Sequence, residues 1–272
     1  MDDIHRMKFS PPDDTAMLPW YQGAFTHGFI ALHPFFTVEG LDPTSCDHGT
    51  LVLTGSHRPK DVDLLKWMDE QAATRRTGKE IPGGSLADIT KRFSRRIGWR
   101  EICKEVGLHD HRELDRALRT NIKGLRRELE DQDAAERLVT YCNRQSIFLP
   151  TEGDFQPTME AEIVSMFQNA GLSEILVGDE FDEDEKLISL ASLANSSPWE
   201  TRDDFPKWGA RRLMAPDHSL LVWVHWDSFY TAIFGTAQRL RDLRLSEGFE
   251  GFWCSEENTT YWLMQDAVPL VQ

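Results

Sequence analysis

The stretch from Ala210 to Gly235, ARRLMAPDHSLLVWVHWDSFYTAIFG, constrains the fold more than any other part of the chain. ARRLMAP and LLVWVHW are rich in apolar, β-branched and aromatic residues, and the turn residues APDHS part them, which is the pattern of a β-hairpin. SFYTAIFGTAQRLRDLRL follows and reads as a helix, with Asp227 or Ser228 as the side chain that caps its first turn. Shorter strand-like runs lie elsewhere: GFIALHPFF, ended by Pro34, GTLVLTG between Gly49 and Gly55, SEILVGDEF and FEGFWCS, with TTYWLM as a further strand or short turn.

Against these strands stands a segment of helical character. DVDLLKWMDEQAATRR places Val62, Leu65 and Met68 on one face behind Asp61, and Ser85 precedes LADITKRFSRRIG. WREICKEVG stops at Gly107. Asp110 and Glu113 then have the spacing of a capping box, from which Leu114, Ala117, Leu118, Ile122, Leu125 and Leu129 carry a helical period to about Glu130. TMEAEIVSMFQNAG, closed by Gly171, and DEDEKLISLASLAN read as two more helices. The predicted class is α+β: a mixed or antiparallel sheet with a helical block over 61–145 inserted in it or packed on it. Residues 1–60 form an arm and short strands, and 146–272 complete the sheet, the whole making one integrated domain rather than three.

The chain has 272 residues, a formal net charge of −15 and a pI near 5.0. A field of that sign repels phosphate backbones and anionic lipid, which disfavours nucleic acid as a partner and suits a basic protein. Four separated cysteines with no CxxC pair read as free thiols of a reducing compartment. The polar, acidic opening MDDIHRMKFSPPDDTAM lacks a signal-peptide core, and no apolar run is long enough to span a bilayer, so a cytoplasmic location is expected. There is no Walker loop, no GxGxxG and no HExxH. GDEFDEDEK lacks the register of a calcium loop, and the histidine pairs 27/33, 48/57 and 109/111 have no second pair at ligand spacing. No cofactor and no metal are expected.

Three sites remain to be weighed. His225, Trp226, Asp227 and Ser228 stand at the strand-to-helix junction, and Trp253, Glu256, Thr259, Tyr261 and Trp262 lie in the aromatic tail. Together they suggest an acidic, aromatic surface that binds a protein or ligand without catalysis. A hydrolytic reading of His225 and Asp227 is the alternative, but neighbours in one segment do not make a triad and no GxSxG elbow is present. The third site is the basic stretch from Lys91 to Arg127. Its WREICKEVGLHDHRELDRALRTNI has the outline of a helix-turn-helix over 99–123, in which Arg112, Arg116, Arg119 and Lys123 would face DNA. With Gly107 as the turn glycine, however, the apolar positions of the second helix fall on Glu113 and Arg116. Cys254 has acidic neighbours, which oppose a thiolate.

HWDSFYTAIFG, with GFWC and TTYWLM after it, resembles the C-terminal part of an uncharacterised bacterial family, a domain of unknown function. That resemblance implies a bacterial cytoplasmic protein with no assigned activity, cofactor or catalytic residue. A strand with HWDS leading into a helix is also similar in layout to small acidic immunity proteins that neutralise secreted toxins.

Overall fold

The computed structural model describes residues 6–21, 23–44, 86–194, 197–207, 209–265 and 269–271. The predicted strand GTLVLTG and helix DVDLLKWMDEQAATRR lie outside the described residues, as do Cys46, His48 and His57. The class is α+β. A short helix α1 (Met17–Trp20) leads to β1 (His27–Leu32) and β2 (Phe35–Val38). Then come α2 (Leu86–Phe93), β3 (Ser94–Ile97), α3 (Trp99–Val106), α4 (His111–Ile122), α5 (Gln132–Arg144) and α6 (Glu160–Asn169). β4 (Glu174–Gly178), β5 (Glu185–Ser189), α7 (Leu190–Ala194), β6 (Arg212–Met214), β7 (Leu220–Val224) and β8 (Tyr230–Gly235) follow. The chain then forms α8 (Ala237–Asp242), α9 (Leu245–Gly248) and β9 (Gly251–Trp253).

Among the described residues seven strands make one sheet in the order β5-β4-β6-β7-β8-β1-β9, antiparallel at every pairing, while β2 and β3 pair separately. Both faces of the large sheet are buried. Ile30, Leu32, Leu221, Trp223, Ala232 and Phe234 pack on one side against α3, α4 and α5. Phe29, Ala31, Val222, Val224 and Ile233 pack on the other against α6, α7 and α8. Helices α3 to α5 of the helical block thus form one of two layers that sandwich the sheet.

This double burial conceals one strand in the sequence. SFYTAIFG is not a helix but strand β8, paired with β7 through Val222 to Ile233 and with β1 through Ile30 to Ala232. A strand covered on both sides loses its polar alternation, and a short apolar run then looks the same as a buried helix. The helix starts later, where the Thr236 hydroxyl accepts from Arg239 N at 3.3 Å. Asp227 and Ser228 therefore cap nothing. Similarly, EKLIS of the predicted helix DEDEKLISLASLAN is β5, SRRI after α2 is β3, and Pro34 parts β1 from β2 in another sheet.

Asp110 caps α4, its Oδ1 accepting from Arg112 N and Glu113 N, while the Glu113 carboxylate reaches one residue past the cap to His109 N at 2.7 Å, a variant of the expected capping box. The helix ends eight residues short of Glu130, because Lys123 turns left-handed at φ 62° and Gly124 N bonds back to Arg119 O. At α3 the cap is remote. Gly98 offers no side chain, and the Glu250 carboxylate accepts from Trp99 N at 2.6 Å and Arg100 N at 3.1 Å. A Cβ on Gly98 would lie 2.6 Å from that carboxylate. The negative group offsets the positive end of the helix dipole as well as satisfying two donors.

Among the described residues two histidines are buried. His33 bridges Thr151 O (2.8 Å) and the Thr231 hydroxyl (2.9 Å), and His111 stacks on Trp262 with ring centroids 5.5 Å apart. Burial lowers both to about 4, against the pull of the Thr151 carbonyl on His33 and of Asp110 on His111.

Two outcomes are expected. Glu250→Ala lowers unfolding free energy in urea by about 1–2 kcal/mol, and Glu250→Gln by less. A histidine that is neutral when folded takes up its proton more readily when unfolded, so its stabilisation is complete above about pH 6.5 and is lost as pH falls towards 4. From His33 this amounts to about 2–3 kcal/mol at pH 4.5, and His33→Gln flattens the acid limb of a stability–pH profile by that amount.

Candidate functional site

β7 and β8 are joined by the residues His225 to Phe229, so HWDS is the head of a hairpin. Asp227 takes φ 48°, a left-handed conformation that aspartate tolerates in turns. Ser228 is buried and its hydroxyl donates to His225 O at 2.6 Å, which closes the turn. Ser228 is therefore structural.

His225 is mostly covered. Its Nδ1 lies 2.7 Å from Trp226 O, where only an N–H fits, and its Nε2 lies 3.3 Å from Asp13 Oδ1. Burial lowers its pKa, against the Trp226 carbonyl and Asp13. Trp226 is 50% exposed at the tip. The Arg211 guanidinium stands 4.4 Å from its ring centroid and pairs with Asp154 at 3.2 Å.

A second loop, 151–154, supports this head. Gly153 N donates to Ser228 O at 2.8 Å, and Gly153 has φ 62°. Behind it His33 holds Thr151 O, and Gln156 accepts from Thr151 N at 2.6 Å. The loop therefore brings Glu152 near Asp227 of the turn. Burial, then the adjacent Asp227 and Asp154, raise Glu152 to about 7, with Arg211 opposing.

The floor is ionic. Asp115 and Arg119 pair at 2.9 Å one turn apart on α4, both fully buried. Arg119 also donates to Thr260 O at 2.9 Å and stands over the Tyr261 ring at 5.3 Å. Burial raises Asp115 to about 6 despite Arg119. From the N-terminal side, Asp13 accepts from the Thr260 hydroxyl at 3.2 Å, and Asp14 pairs with Arg126 at 2.8 Å.

Of the sequence-predicted residues, His225, Trp226, Asp227 and Tyr261 thus share one neighbourhood. Trp262 is in the core against Phe252 and His111, and Trp253 lies on edge strand β9 against Phe29. Glu256 is exposed in a separate turn, and the Thr259 hydroxyl accepts from Tyr261 N. The DNA-facing set is split: Arg119 is buried, Arg112 is tied to Asp110 and Gln265 O, Arg116 is half-buried and Lys123 is exposed at the end of α4. These four do not form one exposed positive face.

Sequence reasoning missed Asp13, Asp115, Glu152 and Arg211. Asp115 and Arg119 left a signal, as an opposite-charge i, i+4 pair inside the apolar stripe of Leu114 and Leu118. Glu152 left only TEGD, an acid beside a turn glycine.

Within GDEFDEDEK, Asp179, Asp182 and Glu185 are engaged. Asp179 accepts from the backbone of Phe181, Glu183 and Asp184, while Asp182 and Glu185 pair with the buried Arg212. Among the described residues no group of three or more His, Cys, Asp or Glu side chains is arranged to hold a metal. Cys254 is a free thiol whose pKa burial pushes up. A cavity of about 20 Å³ adjoins Trp226 and Arg211. A wider hollow of about 630 Å³ runs along Thr37–Asp42, Phe93, Arg95 and Ser146 and includes none of the predicted residues. No helix among the described residues is long and apolar enough to cross a membrane.

No curated protein and no solved structure matches the chain. A family model described as a protein of unknown function, DUF2711, matches residues 13–264, which takes in the helical block as well as the stretch from His225 to Met264 that carried the resemblance. The chain belongs to the DUF2711 family of uncharacterised proteins.

Proposed function

We propose that the protein is a non-enzymatic binding protein that takes a basic partner on the acidic surface around the β7–β8 turn. One observation carries this reading: Trp226 stands half-exposed at the tip with Arg211, itself paired with Asp154, over its ring, while Asp13 lies against His225 and Glu152 near Asp227 of the same turn. A rigid aromatic among carboxylates is suited to lysine and arginine side chains, which pair with the acids and lay their stems on the ring. The net charge of −15 adds long-range attraction for such a partner. A partner of toxin type, neutralised in a bacterial cytoplasm, fits this chemistry.

A second reading, acid–base chemistry at His225, draws support from the convergence of Asp13, Glu152 and Asp227 from separate segments. It is the weaker one, because the adjoining cavity of about 20 Å³ holds little more than one water. The DNA reading has less support still, with Arg119 enclosed.

The test is titration of an oligo-arginine peptide, followed by tryptophan fluorescence over a range of salt. Affinity is expected to fall as salt rises, and Trp226→Ala to weaken binding by about tenfold or more. Binding that ignores ionic strength, or is equal in Trp226→Ala, or is absent at low salt, removes the reading.

A further inference from the structure

Phe181 is 60% exposed, although the turn that carries it, between β4 and β5, is tied down at several points. The buried Asp179 accepts from Phe181 N, Glu183 N and Asp184 N at 3.0–3.1 Å. Asp182, at φ 56°, and Glu185 both pair with Arg212, and Asp182 also holds Lys8 of the N-terminal arm at 2.9 Å. A fixed turn with an apolar ring left in water is also what the β7–β8 head presents. There the Ser228 hydroxyl closes the backbone and Arg211 lies over Trp226.

The two turns leave the sheet at the same end. Gly178 of β4 pairs with Arg212 of β6, Arg212 with Trp223 of β7, and Val224 with Thr231 of β8. Glu180 of one turn and Trp226 of the other line one small hollow, with Lys8 and Arg211. In the order β5-β4-β6-β7-β8 the turn centres are three strand spacings apart, about 14 Å. The charge at this end is unbalanced. Lys8, Lys186, Arg211 and Arg212 already have carboxylate partners. Glu180 and the exposed Glu183 pair with no cation among the described residues.

We propose that Phe181 and Trp226 are paired anchors of one docking surface, which takes an extended basic segment of a partner protein carrying two apolar side chains four residues apart. An extended chain rises about 3.4 Å per residue and alternates its faces, so side chains at i and i+4 point the same way about 14 Å apart and meet both rings. The arginines or lysines of the segment then face the unmatched carboxylates of Glu180 and Glu183. The inference rests on the binding role proposed above and adds the partner's conformation to its charge.

The test compares two peptides of the same composition, five arginines and two leucines, with the leucines four residues apart in one and adjacent in the other. The full-length protein is expected to bind the spaced isomer about tenfold more tightly. In Phe181→Ser, an exposed position whose change leaves the core intact, the two isomers are expected to bind equally, at the affinity of the adjacent one. Isomers that bind the wild type equally, or a preference that survives Phe181→Ser, overturn the paired anchors while the binding role stands on its salt dependence. Failure of both peptides to bind at low salt removes that role and this inference with it. Sedimentation of the free protein is expected to be the same in wild type and Phe181→Ser. A dimer that the variant dissolves assigns the ring to a second copy of the chain and overturns the proposal.

Discussion

β7 and β8 run through the middle of a seven-stranded antiparallel sheet whose two faces are both covered by helices. Nothing polar on these strands can reach water except at their ends. Thr231, in the interior, is tied to His33, and His33 is kept neutral for the same reason. Arg212 on β6 is buried, and its Nη2 pairs with two carboxylates, Asp182 and Glu185. The remaining charge collects where the strands stop, and the head of the β7–β8 hairpin is such a place. The cluster of charge at that head is therefore a by-product of how thoroughly the sheet is enclosed.

Much of this was readable in the residues. The hairpin of β6 and β7, the capping box at Asp110, the helices ending at Gly107 and Gly171 and the α+β class all rest on local rules that tertiary context left intact. β8 was misread because enclosure removes the alternation by which strands are recognised, so YTAIF carries no period that tells strand from helix. The end of α4 was overrun because Leu125, although buried, belongs to the turn after the helix, and Gly124 marks the stop.

The site was legible only in part. Its exposed tip announced itself through HWDS, but its supports did not. Glu152, Asp13 and Arg211 lie tens to hundreds of residues from the turn, and Glu250 caps a helix that starts 151 residues before it. Such partnerships depend on topology, which a single sequence does not state. Arg119 shows the converse. It was visible as a basic residue on a helix, and its meaning reversed once Asp115, Thr260 and Tyr261 closed around it. An arginine in that position organises neighbours instead of reaching for an external phosphate.

Met17 N bonds to Asn258 O, and Thr260 bonds to Asp13. These contacts join regions more than two hundred residues apart in the chain, and both flank His225 and Tyr261. Such long closures are costly in chain entropy and form late in folding. The hairpin itself can assemble from neighbouring strands, but its surroundings are finished only after synthesis has passed Tyr261. A chain that stops short of Thr260 keeps Asp13 but loses the hydroxyl that holds this carboxylate beside His225, so the tail acts as a clamp on a residue at the far end of the chain.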